Sequence, residues 1–224
     1  MQLARPVSNV IFDLDGVLLD TERLYTEATQ QIVGRYGKRF DWSIKVNMMG
    51  RASIDSARYL VNRLVLPISA ESYLEQREVI LSRLFPNCEP MPGAIELVRA
   101  LHACSVPLAV ASSTKRSMFE LKIERHRAWF SLFDTIVLAD DSRLKAAKPA
   151  PDIFLIAASD LNAEPSRCLV VEDSPAGVAA GKAAGMQVLA VPYPGMDPEL
   201  LRRADIVIDS LTQLTPRELG FMDS

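Results

Sequence analysis

Short, unbroken apolar runs rich in β-branched residues recur along the chain at 10–14, 108–111, 135–138, 168–171, 187–191 and 206–208. Runs without polar alternation predict strands covered on both faces, as in a parallel sheet. The gaps between them leave room for crossover helices, and helical spacing is clearest at 92–104, 151–161 and 175–184. Pro92, Pro151 and Pro175 each stand near the start of such a segment, where a missing N–H costs least. Gly185 stands where the last one should stop. This β-α-β alternation predicts a doubly wound α/β fold around a parallel, Rossmann-like sheet.

One stretch breaks the rhythm. From 21 to 88 the spacing is helical, with Ala57, Leu60, Val61, Leu64 and Val65 as one apolar stripe and Tyr73, Val79, Ile80 and Leu84 as a looser one. Pro86, Pro90 and Pro92 mark the return. The expected organisation is a core of residues 1–20 and 89–224 carrying a helical insert, 21–88, with hinges near 19–23 and 86–92. Loops that follow strands tolerate such insertions.

Bulk properties narrow the function more than the fold. A chain of 224 residues can bury a core without staples, and a formal charge of −3 gives no basic excess for nucleic acid or an anionic membrane. The three cysteines, Cys88, Cys104 and Cys168, are widely spaced and form no CxxC, which argues against zinc and a disulfide framework. No apolar run approaches the ~18–20 residues of a membrane span, and no signal-peptide pattern opens the chain. A cytoplasmic monomer acting on a small molecule is expected.

The chemistry gathers after the predicted strands, where parallel α/β sheets build their sites. Asp13 and Asp15 close the first run, and a strand period of two would aim both side chains the same way. Their repulsion demands a proton, a base or a metal. Ser112, Ser113 and Thr114 follow the second run, Lys148 precedes a helix start, and Glu172, Asp173 and Ser174 follow the fourth. Acids, hydroxyls and a lysine at one sheet end suit phosphoryl transfer. In such chemistry a carboxylate can be the nucleophile, clustered carboxylates favour a hard cation such as Mg²⁺, and hydroxyls and an ammonium suit the phosphate oxygens.

Asp13-Leu14-Asp15-Gly16-Val17, Val110-Ala111-Ser112-Ser113, Lys148-Pro149-Ala150-Pro151-Asp152 and Glu172-Asp173-Ser174-Pro175-Ala176-Gly177 resemble, in order, the four motifs of the haloacid dehalogenase superfamily. The insert falls where that family carries its helical C1 cap. The second aspartate, Asp15, is similar to the phosphatases and phosphomutases of the superfamily rather than its dehalogenases. The resemblance implies Asp13 as nucleophile and Mg²⁺ ligand. It implies Asp15 as general acid and then base, lending its backbone carbonyl to the metal. Ser112, Ser113 and Lys148 would hold phosphoryl oxygens. Asp173 would be a further metal ligand, with Glu172 as a ligand or a partner behind the ligands. Glu22, Gly50, Arg51 and Lys115 are candidate substrate contacts.

Within the family, the segment from Lys122 to Asp134, with Pro151-Asp152-Ile153-Phe154-Leu155, is similar to the pseudouridine-5′-phosphatase group and its plant glycerol-phosphate phosphatase relatives. Ala139 and Ala147 stand where those relatives often show glycine. The sugar phosphomutases of this branch carry a histidine where Tyr25 stands here, so a proton-transfer partner of that reading is missing. The readings are therefore a Mg²⁺-dependent phosphatase working through an aspartyl-phosphate, a phosphomutase, and a non-catalytic metabolite-binding regulator. The basic residues Lys115, Arg116, Lys122, Arg125, His126 and Arg127 read as a solvated helix face, with Lys115 the one near enough to the second motif to be an exception.

Overall fold

In the computed structural model, which describes residues 3–48 and 53–221, six strands form one sheet. They are β1 (Asn9–Phe12), β2 (Leu108–Ser112), β3 (Thr135–Leu138), β4 (Cys168–Glu172), β5 (Gln187–Ala190) and β6 (Ile206–Val207). All pair in parallel, in the order β3-β2-β1-β4-β5-β6. The chain winds outward from β1 to β3, then returns to β4 on the other side of β1. That reversal leaves a crevice beyond the carboxyl ends of β1 and β4.

Every residue of β1, β2, β4 and β5 is buried. This explains why those runs lack polar alternation: helices cover both faces. The helices of this part are α5 (Ala94–Ala103), α6 (Arg116–Lys122), α7 (Arg127–Phe130), α8 (Asp152–Asp160) and α9 (Pro175–Ala183), following four in the insert. Pro175 occupies the first turn of α9, and the Ser174 hydroxyl caps it by accepting from the Gly177 N–H at 3.0 Å. No helix among the described residues is long and apolar enough to cross a membrane.

The residues divide into two compact units, one running to Asp20 and resuming at Glu89, the other Thr21–Cys88. The second unit packs α1 (Thr21–Gly34), α2 (Trp42–Met48), α3 (Ser53–Leu64) and α4 (Ala70–Leu84). Ala57 and Leu60 of α3 and Tyr73, Ile80 and Leu81 of α4 are buried. Two stripe positions differ from expectation. Val65 follows the end of α3 with φ +51° and is 79% exposed, while Leu66 turns in. Val79 is 54% exposed because Tyr73, Ile80 and Leu81 set the buried face of α4.

Candidate active site

The first strand stops at Phe12, short of the predicted 14. The Asp13 N–H still reaches the Val171 carbonyl at 2.9 Å, but Leu14 enters a turn closed by the Gly16 N–H on Leu19 O at 2.9 Å. Asp13 and Asp15 are therefore not two positions of one strand face. Each carboxylate has its own lysine.

Asp13 is 7% exposed, and its Oδ1 lies 2.5 Å from Lys148 Nζ. The same ammonium donates to Glu172 Oε1 at 2.7 Å and to the Ala111 carbonyl at 3.1 Å, with the Phe154 ring 4.8 Å away. Burial pushes the Asp13 carboxyl up to about 7; Lys148 works against this, and the charges of Glu172 and Asp15 add to it. Burial opposes the charge on Lys148, but Asp13 and Glu172 outweigh it and hold the ammonium above the ordinary lysine value.

Asp15 Oδ1 meets Lys122 Nζ at 2.5 Å, and Oδ2 accepts from the Thr114 hydroxyl at 2.7 Å. Lys122 also donates to Thr114 Oγ1 at 2.8 Å. The Ser112 hydroxyl, fully buried at the end of β2, accepts from the Thr114 N–H at 3.1 Å and sits 3.5 Å from Asp15 Oδ2. Ser113 is exposed and lines a cavity of about 250 Å³ with Ala139, Ala147 and Lys148. Lys115 is exposed at the N-cap of α6.

Glu172 is wholly buried and both its oxygens are engaged. Oε1 takes Lys148, while Oε2 accepts from the Asp173 N–H (3.0 Å), the Ser174 N–H (2.9 Å) and the Ser174 hydroxyl (2.9 Å). A Cβ at Gly177 would overlap this carboxylate, so only glycine fits there. Glu172, expected as a ligand or as a partner behind the ligands, braces the turn that carries Asp173. The Asp173 carboxylate, 8% exposed, lies against Gly16.

The donors fit a hard cation. What the two turns offer is oxygen: the buried Asp13 and Asp173 carboxylates and, beside them, Asp15. Among the described residues no three His, Cys, Asp or Glu side chains form a ligand cluster, and Mg²⁺ needs none, being held by one or two carboxylates together with phosphate and water. Four carboxylates against the ammoniums of Lys122 and Lys148 also leave this cluster short of positive charge.

Lys122 is the site residue that the sequence reading leaves out, and Thr114, one of the three hydroxyls after the second run, is its unforeseen partner. Lys122 belongs to the basic run that reads as a solvated helix face, yet it is 1% exposed; Lys115, Arg116, Arg125 and Arg127 of that run are exposed. The signal was present: Lys122 sits three residues after Phe119 and beside Ile123, both buried, so it shares their face.

Of the remaining candidates, Gly50 and Arg51 lie outside the described residues. Glu22 belongs to the second unit, where its carboxylate is 3.2 Å from the buried Lys45. It lines a cavity of about 250 Å³ with Tyr25, Thr26, Lys45, Ser56 and Arg77, among others. Tyr25 packs edge-on against Phe85 at 5.7 Å and under the Arg77 guanidinium at 5.4 Å.

The profile of the haloacid dehalogenase-like hydrolases matches residues 10–191. The chain is 45% identical to (DL)-glycerol-3-phosphatase 1, mitochondrial, of Arabidopsis thaliana, over 97% of this chain and 76% of that protein. It is 44% identical to the probable pseudouridine-5′-phosphatase of Drosophila melanogaster, over 98% and 96%. The crystal structure of a HAD family hydrolase from Deinococcus radiodurans with bound phosphate and sodium superposes with a TM-score of 0.79 at 28% identity, covering 97% of this chain and 98% of that one.

Proposed function

The chain belongs to the haloacid dehalogenase-like hydrolase family and is a phosphoric monoester hydrolase, and from that premise we propose that it hydrolyses a small phosphorylated metabolite through an aspartyl-phosphate on Asp13. The observation that carries this reading is the buried Asp13 carboxylate at the crevice, 2.5 Å from Lys148, with Asp15 as a second, separately held acid.

Asp13 attacks phosphorus, and the bond from phosphorus to the leaving oxygen breaks as Asp15 delivers a proton to that oxygen. In the second half Asp15 takes a proton from water, the water oxygen bonds to phosphorus, and the Asp13–phosphorus bond breaks. Lys148 offsets charge on Asp13 and on the transferring group, and Ser112 and Ser113 hold phosphoryl oxygens. Asp13, Asp173 and the Asp15 carbonyl would hold Mg²⁺, which when bound neutralises the acids and the phosphoryl oxygens. Glu172 keeps Asp173 and Lys148 in place. The helical unit serves as the cap that selects the substrate and excludes water.

The names of the relatives support pseudouridine 5′-phosphate and sugar or polyol phosphates as the substrate class. Phosphate release from a panel of these, with Mg²⁺ or chelator, tests the reading. Turnover of at least one substrate, lost with chelator and in Asp13→Asn, is the expected result. Retained turnover in Asp13→Asn removes the aspartyl-phosphate, isomerised phosphosugar marks a mutase, and binding without turnover marks a regulator.

A further inference from the structure

We propose that Lys122 and Thr114 are positioning residues that fix the Asp15 carboxylate for its proton transfers; the inference rests on the acid–base role given to Asp15 above. The three groups close a triangle: Lys122 to Asp15 Oδ1 at 2.5 Å, Thr114 to Asp15 Oδ2 at 2.7 Å, and Lys122 to Thr114 at 2.8 Å. The Thr114 hydroxyl can donate to Asp15 because it accepts from Lys122, so each bond sets the direction of the next.

A lysine side chain with no exposed surface is costly unless its charge is paired. Here the stem runs from the last residue of α6, beside the buried Phe119, and brings the ammonium to Asp15 from the protein side. The torsion that turns an aspartate carboxylate is broad and roughly two-fold. A partner on each oxygen removes that freedom, while Asp15 stays 24% exposed and open to substrate. A misplacement of about 1 Å can cost on the order of 100-fold in rate, so the clamp acts on turnover more than on substrate binding.

The test compares two leaving groups in Lys122→Met, Thr114→Val, Thr114→Ser and Asp15→Asn. One substrate is p-nitrophenyl phosphate, whose phenolate leaves without a proton; the other is the alkyl phosphate turned over fastest in the panel above. In Lys122→Met and Thr114→Val, alkyl phosphate turnover should fall at least ~10-fold, within the range of acid–base contributions, with KM changed less than about threefold. With p-nitrophenyl phosphate both should release a rapid burst of about one phenolate per site and then turn over slowly, because only the second half needs Asp15. Thr114→Ser should recover most of the rate.

Unmodified alkyl phosphate turnover in Lys122→Met and Thr114→Val, with Asp15→Asn inactive, overturns the clamp alone. Loss of the burst together with raised KM marks a merely structural role and also overturns it. Should Lys122→Met fail to fold, equal rates in Thr114→Val and Thr114→Ser overturn the clamp. Full activity in Asp15→Asn removes the reading beneath it, which is a separate and visible failure.

Discussion

Gly16 lies so close to Asp173 that a Cβ there would overlap Asp173 Oδ2. The contact joins the turn after β1 to the turn after β4, the two places that supply the proposed cation ligands. Gly16 also has φ +82°, a conformation that costs an L-residue roughly 1–2 kcal/mol.

Gly16→Ala should therefore act twice. Backbone strain lowers stability, and the methyl group displaces the Asp173 carboxylate. A fall in turnover of at least ~10-fold and a raised Mg²⁺ requirement are expected, in line with the effect of disturbing the surroundings of metal ligands. Turnover measured against Mg²⁺ concentration checks this, and an unchanged requirement removes the link between Gly16 and the metal.

Lys148 is the shared cation of two buried acids. Lys148→Met leaves Asp13 and Glu172 facing each other without it, and breaking a buried pair from one side costs about 3–5 kcal/mol. Thermal denaturation should show a clear fall in Tm, and turnover should drop by roughly 10²–10³, the scale of losing one charge-stabilising group. Lys148→Arg should not restore activity. A compact ammonium meets Asp13, Glu172 and the Ala111 carbonyl from one point, and a planar fork does not. A fully active Lys148→Arg enzyme would contradict this account.

The sheet is legible because four of its strands are buried on both faces and so read as apolar runs; 135–138, at the half-buried edge, still matches β3 residue for residue. The first run, 10–14, extends two residues past the end of β1 at Phe12. Leu14 is as apolar as Phe12, and it is the hydrogen bonds from Gly16 to Leu19 and from Leu18 and Leu19 to Leu14 that show the chain has already turned. The motif residues were legible because their order and placement agree. What escaped was pairing. That Asp13 takes Lys148, that Asp15 takes Lys122, and that both Glu172 oxygens are occupied depend on contacts across 135, 107 and 24 residues of sequence. Lys122 differs from the rest of its basic run: its charge alone argues for solvent, as theirs does, but its helix face, shared with the buried Phe119, points inward.

The Asp13 carboxyl, pushed up to about 7 chiefly by burial, gives a pH dependence of definite sign. An acid whose folded value lies above its unfolded value of 3.8 binds more protons folded than unfolded across that window. Stability from this group is fully present below the unfolded value and is lost as pH rises toward 7. In chelator, unmodified protein should lose Tm relative to Asp13→Asn between pH 5 and pH 7.5. Because a cation must displace the proton, stabilisation by added Mg²⁺ should grow over the same range. Thermal denaturation of both proteins with and without Mg²⁺ checks this, and parallel pH profiles in chelator would remove the inferred proton on Asp13.

Glu172 and Asp173 are adjacent acids with different predicted work, and substitutions can separate them. Asp173→Asn keeps the shape of the turn but removes a charged ligand, so the Mg²⁺ requirement should rise at least ~10-fold, the scale of disturbing a metal ligand, with little change in Tm. Glu172→Gln keeps one acceptor oxygen but replaces the other with an N–H₂ group. Either the ammonium of Lys148 or the donors of Asp173 and Ser174 then face a donor. Leaving such a buried group unsatisfied costs about 1–3 kcal/mol, more where it is charged. Glu172→Gln should therefore lower Tm clearly while moving the Mg²⁺ requirement less than Asp173→Asn does. The reverse ranking, a stable Glu172→Gln protein with the larger rise in Mg²⁺ requirement, would make Glu172 the ligand and Asp173 the support.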